Sequence, residues 1–179
     1  TRLGIPVPPG FTITTEVCTH YINQGELPQS LKNQVDESLL KTETIMNQIF
    51  GSESNPLLVS VRSGARRSMP GMLETVLNVG LTSKTLPGLL QKSGDERFVY
   101  DAYRRLITMY SDVVMEKAQG LNPKNEKGIR KQLELILDNY KSTHNYLEDA
   151  DLTADDLKII TDSFKELKVS LSTTRQEDD

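Results

Sequence analysis

NPLLVSVRSGARRSMPGMLETVLNVGL, Asn55 to Leu81, is the stretch whose reading decides the fold. It opens on an apolar, β-branched run, Leu57-Leu58-Val59-Ser60-Val61, which predicts a buried strand. The run ends on Arg62, and a loop containing Gly64, Pro70 and Gly71 follows. A second run, Thr75-Val76-Leu77-Asn78-Val79-Gly80, alternates as a strand should. Between Ser54 and Leu73 there is no acidic residue, while Arg62, Arg66 and Arg67 sit together. A chain with a formal net charge of -4 has therefore gathered positive charge, glycine and hydroxyls into one loop between two strands.

That composition suits an anion. Glycine lets backbone N–H groups turn toward phosphate-like oxygens, and successive N–H groups can form a concave nest. Arginine adds a planar fork of donors whose charge does not titrate in the working range. The same residues also suit a surface hairpin with solvated arginines, and composition does not separate the two readings. The loop is not a Walker A motif, because GxxxxGK[ST] occurs nowhere in the chain.

With 179 residues the chain can bury one core, which implies one domain or a domain with a helical appendage. A charged share of 26% and a mean hydropathy of -0.43 fit a soluble globular protein. A pI near 5.3 argues against a nucleic-acid partner, which would want a basic face. No apolar run approaches the ~20 residues that span a bilayer, and no signal-peptide pattern is present. A single cysteine, Cys18, excludes an internal disulfide framework and suits a reducing compartment. His20 and His144 are far apart and offer no metal-site spacing, so no metal ligand is expected within the chain. The chain starts at Thr1 and runs straight into Leu3-Gly4-Ile5-Pro6, which reads as the middle of a longer protein.

Residues 5–10 are proline-rich and extended, and Phe11-Thr12-Ile13-Thr14 alternates as a short strand. Thr14 or Thr15 caps a helix carrying Val17, Cys18, Tyr21 and Ile22, stopped by Gly25. Pro28 starts a second helix with Leu31, Val35, Leu39, Met46 and Ile49, ended by Gly51. Ser83 caps a short helix to Gly94. Asp95 caps a longer one with Phe98, Ala102, Leu106, Met109 and Val113 a turn apart. Arg104 and Arg105 on this helix read as surface or salt-bridge charges, or as a brace for the arginine loop. Residues 120–128 form a polar break, and another helix carries Ile129, Leu133, Ile136, Leu137 and Tyr140. Thr153-Ala154-Asp155-Asp156 resembles a capping box with an acid at N3, opening a last helix with Leu157, Ile160, Phe164 and Leu167. The organisation expected is α+β: strands and the loop in residues 1–94, helices in 95–170 and a mobile tail at 171–179.

VRSGARRSMPGM (61–72), followed by ETVLNVGL (74–81), closely resembles the nucleotide-binding region of the pyruvate, phosphate dikinases. GIPVPPGFTITTEVC, RFVYDAYRRLITMYSDVVM and DLTADDLK fit the same family in the same order, with weaker agreement across 116–151 and after 168. The resemblance implies the first subdomain of an ATP-grasp nucleotide-binding domain. It implies ATP as ligand and Mg2+ as cofactor, with the metal's carboxylates beyond Asp179. Arg62 aligns with the family arginine that contacts the nucleotide's phosphates and is the expected catalytic residue. Gly71, Met72 and Leu73 align with the glycine loop whose backbone donors cover the terminal phosphate; Ser63, Gly64 and Arg66 are weaker candidates that shape the turn. Leu73 stands where methionine is common, and Arg67 where a small residue is frequent. A Gly-Gly-Lys-Gly element is expected just upstream. None of Asp95, Glu96 or Asp155 is expected to bind metal.

The resemblance further implies the interconversion of ATP, phosphate and pyruvate with AMP, diphosphate and phosphoenolpyruvate, through a histidine on another domain. The remaining domains of the same enzyme are the implied partners, in a homodimer of the full-length protein. The expected location is cytoplasmic, or within an organelle, and the isolated chain is expected not to turn over. A phosphoenolpyruvate synthase-type nucleotide domain is the nearest alternative. A non-catalytic helical interaction module is the alternative from another class.

Overall fold

The computed structural model describes residues 4–64, 74–116 and 128–174. Within them the chain runs α1 (Thr15–Gln24), α2 (Gln29–Met46), β1 (Ile49–Phe50), β2 (Pro56–Leu57), β3 (Val59–Arg62) and β4 (Thr75–Val79). It continues with α3 (Leu86–Ser93), α4 (Glu96–Tyr110), a π-helical segment (Ser111–Glu116), α5 (Ile129–His144), a 3-10 turn (Asp149–Asp151) and α6 (Ala154–Thr174). Helices together with two small two-stranded sheets make an α+β arrangement. No described helix is long and apolar enough to cross a membrane. The polar break at 120–128 falls outside the described residues except for Gly128, and 175–179 lie outside them too. α6 itself carries through Thr174.

Local chemistry sets most helix ends. Gly25 adopts φ 74° and its N–H closes α1 on the Tyr21 carbonyl. Asp95 caps α4, its carboxylate accepting the Phe98 N–H at 2.9 Å. Thr153 and Asp156 form the expected reciprocal box. The Thr153 N–H donates to Asp156 Oδ2 at 2.8 Å, and the Asp156 N–H to Thr153 Oγ1 at 3.2 Å.

Other boundaries differ from the sequence expectation. α2 ends at Met46 rather than at Gly51, because Asn47 takes the left-handed conformation (φ 51°) that asparagine tolerates. Ile49 therefore enters β1. Thr85, not Ser83, stands at the start of α3. Its buried hydroxyl donates to the Gly80 carbonyl at 3.0 Å and accepts the Thr82 N–H at 2.8 Å, which folds the preceding turn. Phe98 is 52% exposed, and Val99 takes the core position beside it. Phe11 to Thr14 forms no strand. Strands need a paired edge, and this segment pairs with none of the described strands.

The run expected as one buried strand is two. β2 pairs in parallel with β1, Phe50 opposite Leu57, whereas β3 pairs antiparallel with β4, Val59 opposite Val79 and Arg62 opposite Thr75. The chain changes partners at Leu58. Only Leu57 of the run is deeply buried, while Val61 is 56% exposed, since a two-stranded ladder covered on one side leaves the other face open. A register shift between Val59 and Val61 marks a bulge on the β4 side, where Asn78 has φ 59°. The extra residue reverses the side-chain alternation. Val76 and Val79, three apart, consequently pack against the same core.

That core joins Val76, Leu81, Leu86, Val99, Ala102 and Leu106. A second core joins Ile107, Leu133, Leu137, Leu152, Leu157, Ile160 and Phe164. α4 contributes to both, and Tyr100 and Tyr103 touch both. Two arginines of α4 fasten it to the turn before α6. Arg97 donates to the carbonyls of Leu152 and Asp149, each at 2.7 Å. Arg104, buried, bridges Asp101 (2.7 Å) and Asp149 (3.0 Å).

Gly88 lets α3 press onto the loop before β2. A Cβ there would lie 2.3 Å from the Glu53 backbone oxygen and 2.9 Å from Pro56 Cδ. Alanine in a helix ordinarily stabilises by about 1 kcal/mol over glycine. At this position the overlap dominates, and Gly88→Ala is expected to destabilise by about 1–3 kcal/mol. A denaturation midpoint equal to or above wild type would contradict the close approach.

Asp156 supplies a second test. Burial alone would raise its pKa, but donors from Thr153, Tyr140 and Tyr146 outweigh that and hold it at about 2. Its folded pKa lies below the usual 3.8, so its contribution is present above that value and lost as pH falls toward about 2. Burial, then the Asp156 hydrogen bond, pushes Tyr140 from 10.0 up to about 12, a contribution fully present below the lower value and lost as pH rises through the higher. Asp156→Asn is expected to flatten the acid limb of the stability–pH curve between about 3.8 and about 2. An acid limb of unchanged slope would refute the assignment.

Candidate functional site

The hairpin β3–β4 is the frame of the site, and backbone pairing places its first residue. Arg62 is the last residue of β3 and stands opposite Thr75, the first of β4. Immediately beyond, Ser63 and Glu74 close the mouth of the loop through three contacts. The Ser63 N–H donates to the Glu74 carbonyl at 2.9 Å, and the Glu74 N–H donates to Ser63 Oγ at 2.8 Å. The Ser63 hydroxyl donates back to the Glu74 carbonyl at 3.3 Å. The serine thus serves as donor and acceptor at once, a role alanine cannot take. Both ends of the connecting loop are held one residue from Arg62.

Arg62 itself is exposed, and among the described residues it forms no ion pair. A guanidinium so placed keeps its five donors available to a ligand and is not consumed by the fold. Gly64 follows, and a side chain added there would meet nothing within 4 Å, so packing does not require glycine at that position. Arg66, Gly71, Met72 and Leu73, with the neighbouring Arg67 and Pro70, lie outside the described residues.

The structure separates other charged residues from this hairpin's chemistry. Arg104 is engaged by Asp101 and Asp149, and Arg105 pairs with Asp101 at 2.8 Å. Both belong to the α4 framework. Asp95 is occupied as a cap, and Glu96 and Asp155 both pair with Lys158, at 2.6 and 3.1 Å. His144 stacks between Tyr140 and Tyr146, with ring centroids 4.2 and 5.7 Å away, and its Nδ1 contacts the Tyr140 carbonyl. Among the described residues no three His, Cys, Asp or Glu side chains gather to hold a metal ion.

Sequence reading missed Glu74 as the partner of Ser63. The available signal was positional: Ser63 and Glu74 each lie one step inside the loop from the register pair Arg62 and Thr75. It also missed the bulge at Asn78, for which an asparagine inside a strand was the only cue.

No family model matches the chain. Compared with individual proteins, it is 48% identical over 166 residues to a pyruvate, phosphate dikinase of Clostridium symbiosum, a match covering 92% of this chain and 18% of the relative. It is 41% identical over 167 residues to the protein of that name from Rhizobium meliloti, covering 92% and 17%. With a chloroplastic pyruvate, phosphate dikinase 1 of Zea mays it shares 41% over 169 residues, covering 94% and 17%. The chain thus spans less than a fifth of the length of the curated relatives it matches.

Ser63→Ala is expected to remove both hydroxyl contacts at the loop mouth and to weaken it by about 1 kcal/mol. Amide exchange at Glu74 should accelerate several-fold while amides in α4 keep their rates. Unchanged protection at Glu74 would show that the hydroxyl does not hold the turn.

Proposed function

Because the chain belongs to the pyruvate, phosphate dikinases over the stretch it spans, we propose that its β3–β4 hairpin holds the phosphates of ATP in the nucleotide-binding part of such an enzyme. In this reading residues 1–94 carry the phosphate loop of the first ATP-grasp subdomain and 95–170 form its helical support. The whole enzyme converts ATP, phosphate and pyruvate to AMP, diphosphate and phosphoenolpyruvate.

The observation that carries the proposal is Arg62, exposed at the end of a strand whose continuation is pinned by Ser63 and Glu74. No acidic residue lies between Ser54 and Leu73 to oppose an anion there. Phosphoryl transfer asks the protein for placement and charge neutralisation more than for covalent chemistry. A guanidinium carried on a pinned backbone meets both needs: it can bind phosphate oxygens through two parallel hydrogen bonds and offset charge as it develops. Backbone donors of Gly71, Met72 and Leu73 would cover the terminal phosphate, with Gly64 and Arg66 shaping the turn. Magnesium would supply further charge neutralisation at the phosphates. In this reading its ligands belong to other parts of the enzyme.

The remaining domains of the dikinase are the partners in this reading, within a homodimer that works in the cytoplasm or in an organelle. The isolated chain should bind nucleotide weakly and should not turn over.

Calorimetry with ATP and magnesium tests the assignment directly. Heat is expected with the wild-type chain and is expected to vanish in Arg62→Ala. Arg62 is exposed, so the substitution should leave the unfolding free energy within about 0.5 kcal/mol of wild type. In the full-length enzyme the same change is expected to slow phosphoryl transfer by at least ~10²-fold, the scale of losing one electrostatic donor. Near-normal turnover in that variant would defeat the proposal.

A further inference from the structure

Bonded and non-bonded residue pairs alternate along an antiparallel ladder. The Ser63 N–H donates to the Glu74 carbonyl at 2.9 Å, so Ser63 and Glu74 occupy a bonded position. Arg62 and Thr75, one step back in register, then form a non-bonded pair. No cross-strand backbone bond fixes Arg62 itself, and the direction of its backbone depends on the residues on either side.

In a regular bonded pair the Glu74 N–H would return to the Ser63 carbonyl. Here it donates to Ser63 Oγ instead, at 2.8 Å, and the hydroxyl donates back to the Glu74 carbonyl at 3.3 Å. The serine side chain stands in for its own backbone carbonyl. The strand therefore stops at Arg62, and the chain turns away without leaving the Glu74 N–H unpaired. Ser63 is exposed and covers no core, so its hydroxyl contributes direction rather than burial. Contact with a phosphate would require that hydroxyl to donate its one proton, because phosphate oxygens accept. The Glu74 carbonyl already engages the proton.

We propose that Ser63 is the positioning residue of the Arg62 guanidinium: its hydroxyl, by replacing a backbone acceptor, sets the direction from which Arg62 reaches the phosphates of ATP. The inference rests on the nucleotide reading and deepens it. Ser63 touches no reacting atom in this assignment and acts only through its neighbour. Two parallel hydrogen bonds to a phosphate demand a defined plane for the guanidinium, and a long side chain amplifies a small turn of the backbone that carries it. Displacing a reacting or stabilising group by about 1 Å can cost ~10²-fold in rate.

A double-mutant cycle in the full-length dikinase tests it, with phosphoryl transfer from ATP as the readout. Ser63→Ala is expected to slow transfer at least ~10-fold in the wild-type background. In the Arg62→Ala background the same change is expected to slow it by less than about 2-fold more, since the group being positioned is gone. Ser63→Thr, which restores the hydroxyl, is expected to recover most of the rate lost in Ser63→Ala. A Ser63→Ala enzyme as fast as wild type would overturn the proposal. So would a full loss repeated in the Arg62→Ala background, because Ser63 would then act independently of the guanidinium, as a purely structural residue does. A threonine variant as slow as the alanine one would show that the hydroxyl is not the cause. Arg62→Ala alone separates the two claims. Normal transfer in that variant overturns the nucleotide reading and this inference with it, whereas slow transfer there beside normal transfer in Ser63→Ala overturns this inference alone.

Discussion

One helix has to satisfy two cores at once, and the described fold depends on it. α4 turns Val99, Ala102 and Leu106 toward β4 and α3, and Ile107 toward α5 and α6. Tyr100 and Tyr103 lie between and touch both clusters. Apolar burial has no direction of its own, so packing alone would leave α4 free to settle at several rotations. Hydrogen bonds supply the direction. Arg97 reaches two backbone carbonyls of the turn before α6, and Arg104 is clasped by Asp101 and Asp149. With α4 fixed in rotation, the sheet core and the helical core are each held in place against it.

The hairpin sits on that support with a division between what is spent on folding and what is left available. Ser63 and Glu74 use their backbone groups and one hydroxyl to hold the loop mouth. Arg62, one residue earlier, is exposed and forms no ion pair among the described residues. Arg104 is its opposite: buried, doubly paired, and part of the framework. The same side chain type is structural in one place and open to a ligand in the other, and the difference lies wholly in surroundings. A guanidinium already neutralised in a low-dielectric interior has little left to offer an anion, whereas an exposed one retains its donors.

Much of this was readable beforehand where the determining physics is local. Gly25, Asp95 and the Thr153–Asp156 box announced helix ends because each acts on backbone groups within a few residues. The strands around the arginine-rich loop were legible, the first from its apolar, β-branched run and the second from its alternation, and Arg62 from its place at the end of the first. The stretch RFVYDAYRRLITMYSDVVM was visible as a helix and as a mark of the family, but its arginines could not be sorted. Arg104 and Arg105 are neighbours in sequence, yet one is buried and one is 60% exposed. That outcome depends on Asp149, far along the chain.

The sequence by itself determined which segments are helical, where several of them start, and that positive charge gathers in one loop between two strands. Tertiary structure decided that the Leu57 to Val61 run divides between two sheets, that a bulge at Asn78 puts Val76 and Val79 on one core, and that Ser63 locks to Glu74. The reason is the range of the forces. Caps and periodicity are written within a turn of helix or a few residues of strand. Register, burial and ion pairing are fixed only when segments distant in sequence meet, and their partners cannot be named before they do.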